Sequence, residues 1–113
     1  MTDTEKLINV YRSLSFSNQK IHRIMAQRTA ARDSVNFCNR DDGKAIAILS
    51  VYPDGRTDFC PFCGLRHLHG ATNGHRVAHC LINGLTIETP GGLLNSADGY
   101  FLQLQENKRL VVF

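Results

Sequence analysis

The chain has 113 residues, of which 42% are apolar, 20% charged and 8% aromatic, with a formal net charge of +3. That length suits one domain, residues 1–113, with a modest core, near the size at which a metal staple matters for stability. No stretch resembles a membrane span, and so small a net charge argues only for solubility or weak attraction to polyanions.

The opening MTDTEKL has no apolar h-region of a secretory signal, so the cysteines are expected in a reducing, cytoplasmic setting rather than in disulfides. Thr2-Asp3-Thr4-Glu5 is a capping box, and Leu7, Val10, Tyr11 and Leu14 follow at helical spacing. This predicts a short amphipathic helix over about residues 3–14. Ser15-Phe16-Ser17 interrupts it. Ser17 is the expected cap of a second helix running to about Arg32, with Phe16 and Ile21 forming a hydrophobic staple.

Between Arg12 and Arg40 there are six basic residues and one acid, Asp33. The helical segment 1–33 is therefore the basic part of the chain. Ile21, Ile24 and Met25 share one helix arc, and Arg28 and Arg32 continue it. A fully buried helix would not place arginines there. Either the helix leaves the core after two turns and its end is solvated, or Lys20, Arg23, Arg28 and Arg32 reach phosphates or an acidic protein.

From Ser34 the periodicity changes to strands, and residues 34–113 read as an antiparallel sheet carrying an inserted loop, 60–80. Val35–Cys38 is a short strand, and Arg40-Asp41-Asp42-Gly43 a turn. Lys44–Tyr52 is apolar on both faces and should be the central strand. Pro53-Asp54-Gly55 turns the chain back through Arg56–Phe59 into the loop.

That loop, CPFCGLRHLHGATNGHRVAHC, packs three of the four cysteines and four of the five histidines into 21 residues. Thiolate and imidazole are the side chains zinc prefers, four to a tetrahedron. Cys60-Pro-Phe-Cys63-Gly64 has knuckle spacing, in which a tight turn aims both sulfurs at one point. Cys80 is the natural third ligand. The fourth position is open among five residues. His67 and His69 would share a strand face, and Gly70 favours His69 by letting the chain turn back. His75 and His79 would share a helix face if Asn73-Gly74 starts a helix, although His79 adjoins Cys80 and neighbours on a strand diverge. Cys38 would close an all-cysteine site, or else it is a small buried hydrophobe.

The pattern CPxCGxxHxHG followed by GHRxAHC resembles a zinc-binding module of small proteins from phages and mobile elements. More loosely it is similar to zinc ribbons and treble clefs. The resemblance spans residues 60–80 and implies a zinc site but no particular activity. A standard ribbon carries a second CxxC, which this chain lacks.

After Cys80 the expected elements are Leu85–Glu88, a Pro90-Gly91-Gly92 turn, Tyr100–Gln105 with one wet face, and a closing hairpin through Glu106-Asn107-Lys108 to Arg109–Phe113. The order of elements defines an α+β fold.

For catalysis the pattern is poor. Neither HExxH nor the HxE…PCxxC of zinc deaminases is present. An HNH-like metal-dependent nuclease would need His67, His75 or His79 with Asn73 as partner. A binding module fits better, its zinc structural. Nucleic acid is the first expected partner, through Lys20, Arg23, Arg28 and Arg32 with Arg66 and Arg76 on the zinc loop. The second is a protein, with this chain as an adaptor or inhibitor acting on a host complex.

Overall fold

The computed structural model describes residues 2–40, 42–89 and 92–106. Helices α1 (Asp3–Ser13) and α2 (Asn18–Ser34) lead. They are followed by β1 (Asn36–Asn39), β2 (Ala45–Val51), β3 (Gly74–Arg76), β4 (Thr86–Thr89) and β5 (Gly92–Asn95). A 3-10 turn at Ser96–Asp98 then leads into β6 (Tyr100–Leu104). The expected α+β class is the one observed. Among the described residues no helix is long and apolar enough to cross a membrane.

Local sequence chemistry sets both helices. Thr2 caps α1 by accepting the Glu5 N–H at 3.2 Å. The helix ends in a Schellman turn, in which the Phe16 N–H reaches the Tyr11 carbonyl at 3.0 Å and the Ser15 N–H reaches the Arg12 carbonyl at 2.9 Å. Ser15 takes the left-handed conformation (φ 64°) that this turn requires. The chain reverses there, and the Ser17 hydroxyl starts α2 by accepting the Lys20 N–H at 3.1 Å. Phe16 stacks on Tyr11, ring centroids 5.6 Å apart, which closes the corner between the helices.

The main sheet has the order β1-β2-β6-β3, so β2 lies inside it, as its two-sided apolar character requires. One expectation fails here: β2 and β6 pair in parallel, with Ala47 opposite Tyr100 and Val51 opposite Leu104. The pairs β1–β2 and β3–β6 are antiparallel. Alternation of side chains reports which residues share a face but not strand direction. Direction is set by the long connection from Tyr52 to Gly99, which leaves one end of β2 and re-enters the sheet at the other. Within it, β4 and β5 form a separate antiparallel hairpin, Thr89 opposite Gly92. Asp41 of the first expected turn, the Pro90-Gly91 turn, and the closing hairpin with its Arg109–Phe113 strand lie outside the described residues.

The core gathers Leu7 and Tyr11 from α1, Ile21 and Ile24 from α2, Leu49 and Val51 from β2, and Tyr100 and Leu102 from β6. Cys60, Phe62 and Cys63 belong to the same cluster, so the knuckle is a core element rather than a surface appendage. Gly64 makes that insertion possible. Its φ is +81°, and an added Cβ would collide with the Ile24 carbonyl and sit 2.9 Å from Ile24 Cγ2. Gly70 has open space around its Cα. Gly64→Ala is therefore expected to cost about 3 kcal/mol or more, whereas Gly70→Ala stays within about 0.5 kcal/mol of the parent. Thermal melts of the zinc-loaded variants check this, and equal melting temperatures would refute the packing account.

Candidate metal centre

The knuckle is built by its own backbone. The Cys60 N–H bonds the Leu65 carbonyl and the Gly64 N–H bonds the Cys60 carbonyl, both at 2.8 Å. The Phe62 N–H points at Cys60 Sγ, 3.4 Å away. Two helix side chains then hold the turn from outside. The Tyr11 hydroxyl donates to the Cys63 carbonyl at 2.7 Å, and Arg28 Nε donates to the Phe62 carbonyl at 2.7 Å. After the knuckle the chain runs extended beside Thr57, whose N–H donates to the His67 carbonyl at 2.9 Å and whose hydroxyl accepts the His67 N–H at 3.1 Å. Cys80 arrives from the opposite direction, four residues beyond β3.

These paths bring Cys60, Cys63, His67 and Cys80 together, with their ligand atoms all within 4.8 Å of one another. Cys60 Sγ lies 3.6 Å from Cys80 Sγ. His67 Nε2 lies 3.3 Å from Cys63 Sγ and 3.8 Å from Cys80 Sγ. A tetrahedron with zinc–sulfur bonds of about 2.3 Å and a zinc–nitrogen bond of about 2.0 Å has edges of about 3.5–3.8 Å. The donor set therefore fits a tetrahedral thiophilic ion in both chemistry and size. Cys60 and Cys63 are 0% and 1% exposed and His67 8%, while Cys80 is partly open to solvent.

The fourth residue that the structure brings to the cluster is His67, not the favoured His69. Both do face the same side, and the intervening Leu68 points to solvent. An extended chain advances about 3.3 Å per residue, so His69 lies two steps farther from the knuckle. There its Nε2 meets the Tyr100 hydroxyl at 2.5 Å instead of a sulfur. The turn that Gly70 allows comes too late to matter. His79 stacks on His69 with ring centroids 4.1 Å apart. His75 bonds the Asp98 carbonyl at 2.7 Å from within a strand, not the helix that Asn73-Gly74 was considered to start. Cys38 sits on β1 among Asn39, Arg40, Asp42 and Phe101, away from the cluster.

The electrostatics of the four donors call for a cation. Burial pushes the Cys60 thiol up to about 12. Its hydrogen bond with Cys60, then that with Cys63 and burial, push Cys80 higher still. Cys63 is held far below the ordinary thiol range by hydrogen bonds from Cys60 and Cys80. Burial and mutual proximity thus oppose ionising all three sulfurs together in the absence of a cation. Burial, then the neighbouring His79 and His67, hold His69 down to about 4, so it stays neutral beside the site.

The six basic residues expected at a partner surface separate into groups. Lys20 and Arg23 are exposed on α2, with Lys20 Nζ 3.9 Å above the Phe16 ring. Arg28 is not at the surface: it is 9% exposed, bonded to the knuckle and to Thr4 Oγ1 at 3.3 Å. Its side chain reaches back across the helix to cap a carbonyl, which is why an arginine occupies a core arc. Arg32 pairs with Asp33 at 3.4 Å. Arg66 lies 3.8 Å over the Phe59 ring, and Arg76 bonds Thr72 Oγ1 and the His75 carbonyl. What the sequence reading missed is the clamp of Tyr11 and Arg28. The only signal was a hydroxyl-bearing ring on an otherwise apolar helix face.

Compared with known proteins, the chain matches no family model, no curated protein and no solved structure.

Two outcomes follow for metal. Zinc content should be one per chain in the parent and in His69→Ala, and should fall away in His67→Ala. Retention by His67→Ala with loss in His69→Ala would overturn the ligand set. Second, zinc entering the folded apoprotein must displace protons from buried thiols whose ionisation the fold opposes. Calorimetry in buffers of different ionisation enthalpy should read proton release, with affinity weakening as pH falls. Zinc affinity that does not change with pH would refute thiolate ligation.

Proposed function

We propose that this protein is a small binding module in which a structural zinc ion holds the recognition loop, and that its partner is nucleic acid. The observation that carries the zinc reading is the closed Cys3His set, three of whose members are at most 8% exposed. Structural zinc sites take four protein ligands, while catalytic ones keep a position open and a general base nearby. The residues here would supply all four, and no carboxylate stands among them. The local resemblance to phage and mobile-element zinc modules agrees with this reading, as does a reducing, cytoplasmic setting for the thiols.

The nucleic-acid reading rests on Lys20 and Arg23, exposed near the start of α2, with Arg66 braced on Phe59 from the knuckle side. Arg32 joins them at little cost, because an exposed ion pair such as Arg32–Asp33 contributes only about 0–1 kcal/mol. An HNH-like nuclease is disfavoured by where its candidates are spent. His67 is in the metal set, His75 holds a carbonyl, and Asn73 Oδ1 accepts the Leu104 N–H at 2.7 Å.

The test is oligonucleotide affinity as a function of salt, on zinc-loaded protein. Affinity should fall steeply with salt, and Lys20→Gln and Arg23→Gln should each lower the log–log slope by about one. Arg28→Gln should instead lower the melting temperature, since its cation serves the fold. Binding that ignores salt, or none at low salt, would transfer the assignment to a protein partner, with the chain as adaptor or inhibitor. With magnesium or manganese present the oligonucleotide should stay intact. Cleavage lost in His75→Ala at full zinc content would establish a nuclease.

A further inference from the structure

Outside the candidate metal centre, a groove of about 540 Å³ lies between α2, the β1–β2 strands and the start of the knuckle. Its size falls in the range of small-ligand sites, roughly 300–1,000 Å³. Small side chains on α2, Ala26, Ala30 and Ala31, keep it open, and Ile48 and Leu49 line it from the sheet. Its other lining groups are of a particular kind. Phe59 supplies an aromatic ring, Gln27 and Asn36 supply amides, Ser50 a hydroxyl and Arg23 a guanidinium.

Apolar walls, one aromatic ring, two amides and one cation are the groups that hold an unstacked nucleobase. The base stacks on the ring, its edge meets amide donors and acceptors, and its phosphate meets the arginine. We propose that this groove takes a single base of a single-stranded nucleic acid, stacked on Phe59, with Arg23 on the adjoining phosphate. The inference rests on the nucleic-acid reading above and gives that reading a site and a strand preference. A base within a duplex is stacked on both faces and cannot enter, so only single strands use the groove.

Charge agrees with an anionic strand. Among the described residues Arg23 has no carboxylate partner, and Arg66 occupies one face of the Phe59 ring without itself lining the groove, so the base would stack on the other face. The one acid in the lining, Asp58, accepts the Tyr52 hydroxyl at 2.8 Å, which leaves its other oxygen to receive an exocyclic amine. An acidic peptide would find one guanidinium but no use for the two amides, and is the less fitting occupant.

The experiment compares fluorescence anisotropy of labelled single-stranded DNA, single-stranded RNA and the matching duplexes with zinc-loaded protein. Single strands should bind about tenfold or more tighter than duplex. Phe59→Leu, which keeps the apolar bulk but removes the ring, should weaken single-strand binding roughly five- to hundred-fold and leave duplex binding unchanged. Ala30→Leu, a helix-compatible filling of the groove, should do the same with an unchanged melting temperature. Equal affinity for duplex, or single-strand binding indifferent to both substitutions, overturns the groove while leaving nucleic-acid binding through the basic face intact. Absence of binding to every oligonucleotide at low salt overturns both readings and leaves the groove to an apolar protein segment.

Discussion

Three sulfurs and one imidazole nitrogen converge within 4.8 Å in the interior of a small domain, and the rest of the structure is arranged around that convergence. Thiols this close and this buried cannot all ionise unaided, as the opposed shifts of Cys60 and Cys63 record. A divalent cation removes the conflict by making three thiolates mutually compatible. Filling the site therefore changes the interior from a cluster of competing protons to a single fixed unit. The segments it joins are distant in sequence: the knuckle, the strand after it, and the return from β3. In a chain of 113 residues with a core of modest size, such a link contributes to the fold directly.

The helices are organised to the same end. A knuckle turn leaves carbonyls without partners, and burial makes an unpartnered carbonyl costly, about 1–3 kcal/mol each. Tyr11 answers the carbonyl of Cys63 and Arg28 that of Phe62. Gly64 lets α2 approach so closely that Ile24 fills the space a Cβ would need. The Asp3 carboxylate, one turn before Leu7, accepts the Thr86 N–H at 2.8 Å and so ties the start of α1 to β4. Local propensity makes these helices; their contacts with the knuckle decide where they lie.

Much of this was legible in the sequence. Thr2 and Ser17 are side-chain caps whose chemistry is local, and both helix starts follow from them. The two-sided apolar run at Ala45–Val51 marks an interior strand because both its faces must be covered. Cys60 and Cys63 are placed by a turn only four residues long. The rest depended on long-range closure. That β6 runs parallel to β2 is fixed by the path of the intervening residues, not by any residue within either strand. The choice of His67 over His69 turns on a reach of two residues, visible only once the direction of the chain leaving Gly64 is known. β3, three residues with an exposed histidine at its centre, has no periodicity of its own and exists because β6 offers it an edge.

Arg28 shows how one residue type can mislead. Its position on the helix suggests a solvated end or a phosphate contact, because a buried guanidinium ordinarily costs too much. Here burial lowers its pKa, and the Asp3 carboxylate acts in the opposite direction, with Tyr11 and Cys60 adding to it. Three thiolates around a divalent ion would leave one net negative charge inside the domain. A cation held against the knuckle backbone, as Arg28 is, would compensate that charge without joining the coordination. His69 and Tyr100 border the same site and stay neutral, His69 with its pKa pulled down and Tyr100 with its own pushed up, chiefly by burial. Among the described residues Arg28 is the buried cation that could serve as counter-charge from the helix side. The basic segment thus divides: Arg28 is buried against the knuckle, while Lys20 and Arg23, one or two turns earlier, are exposed.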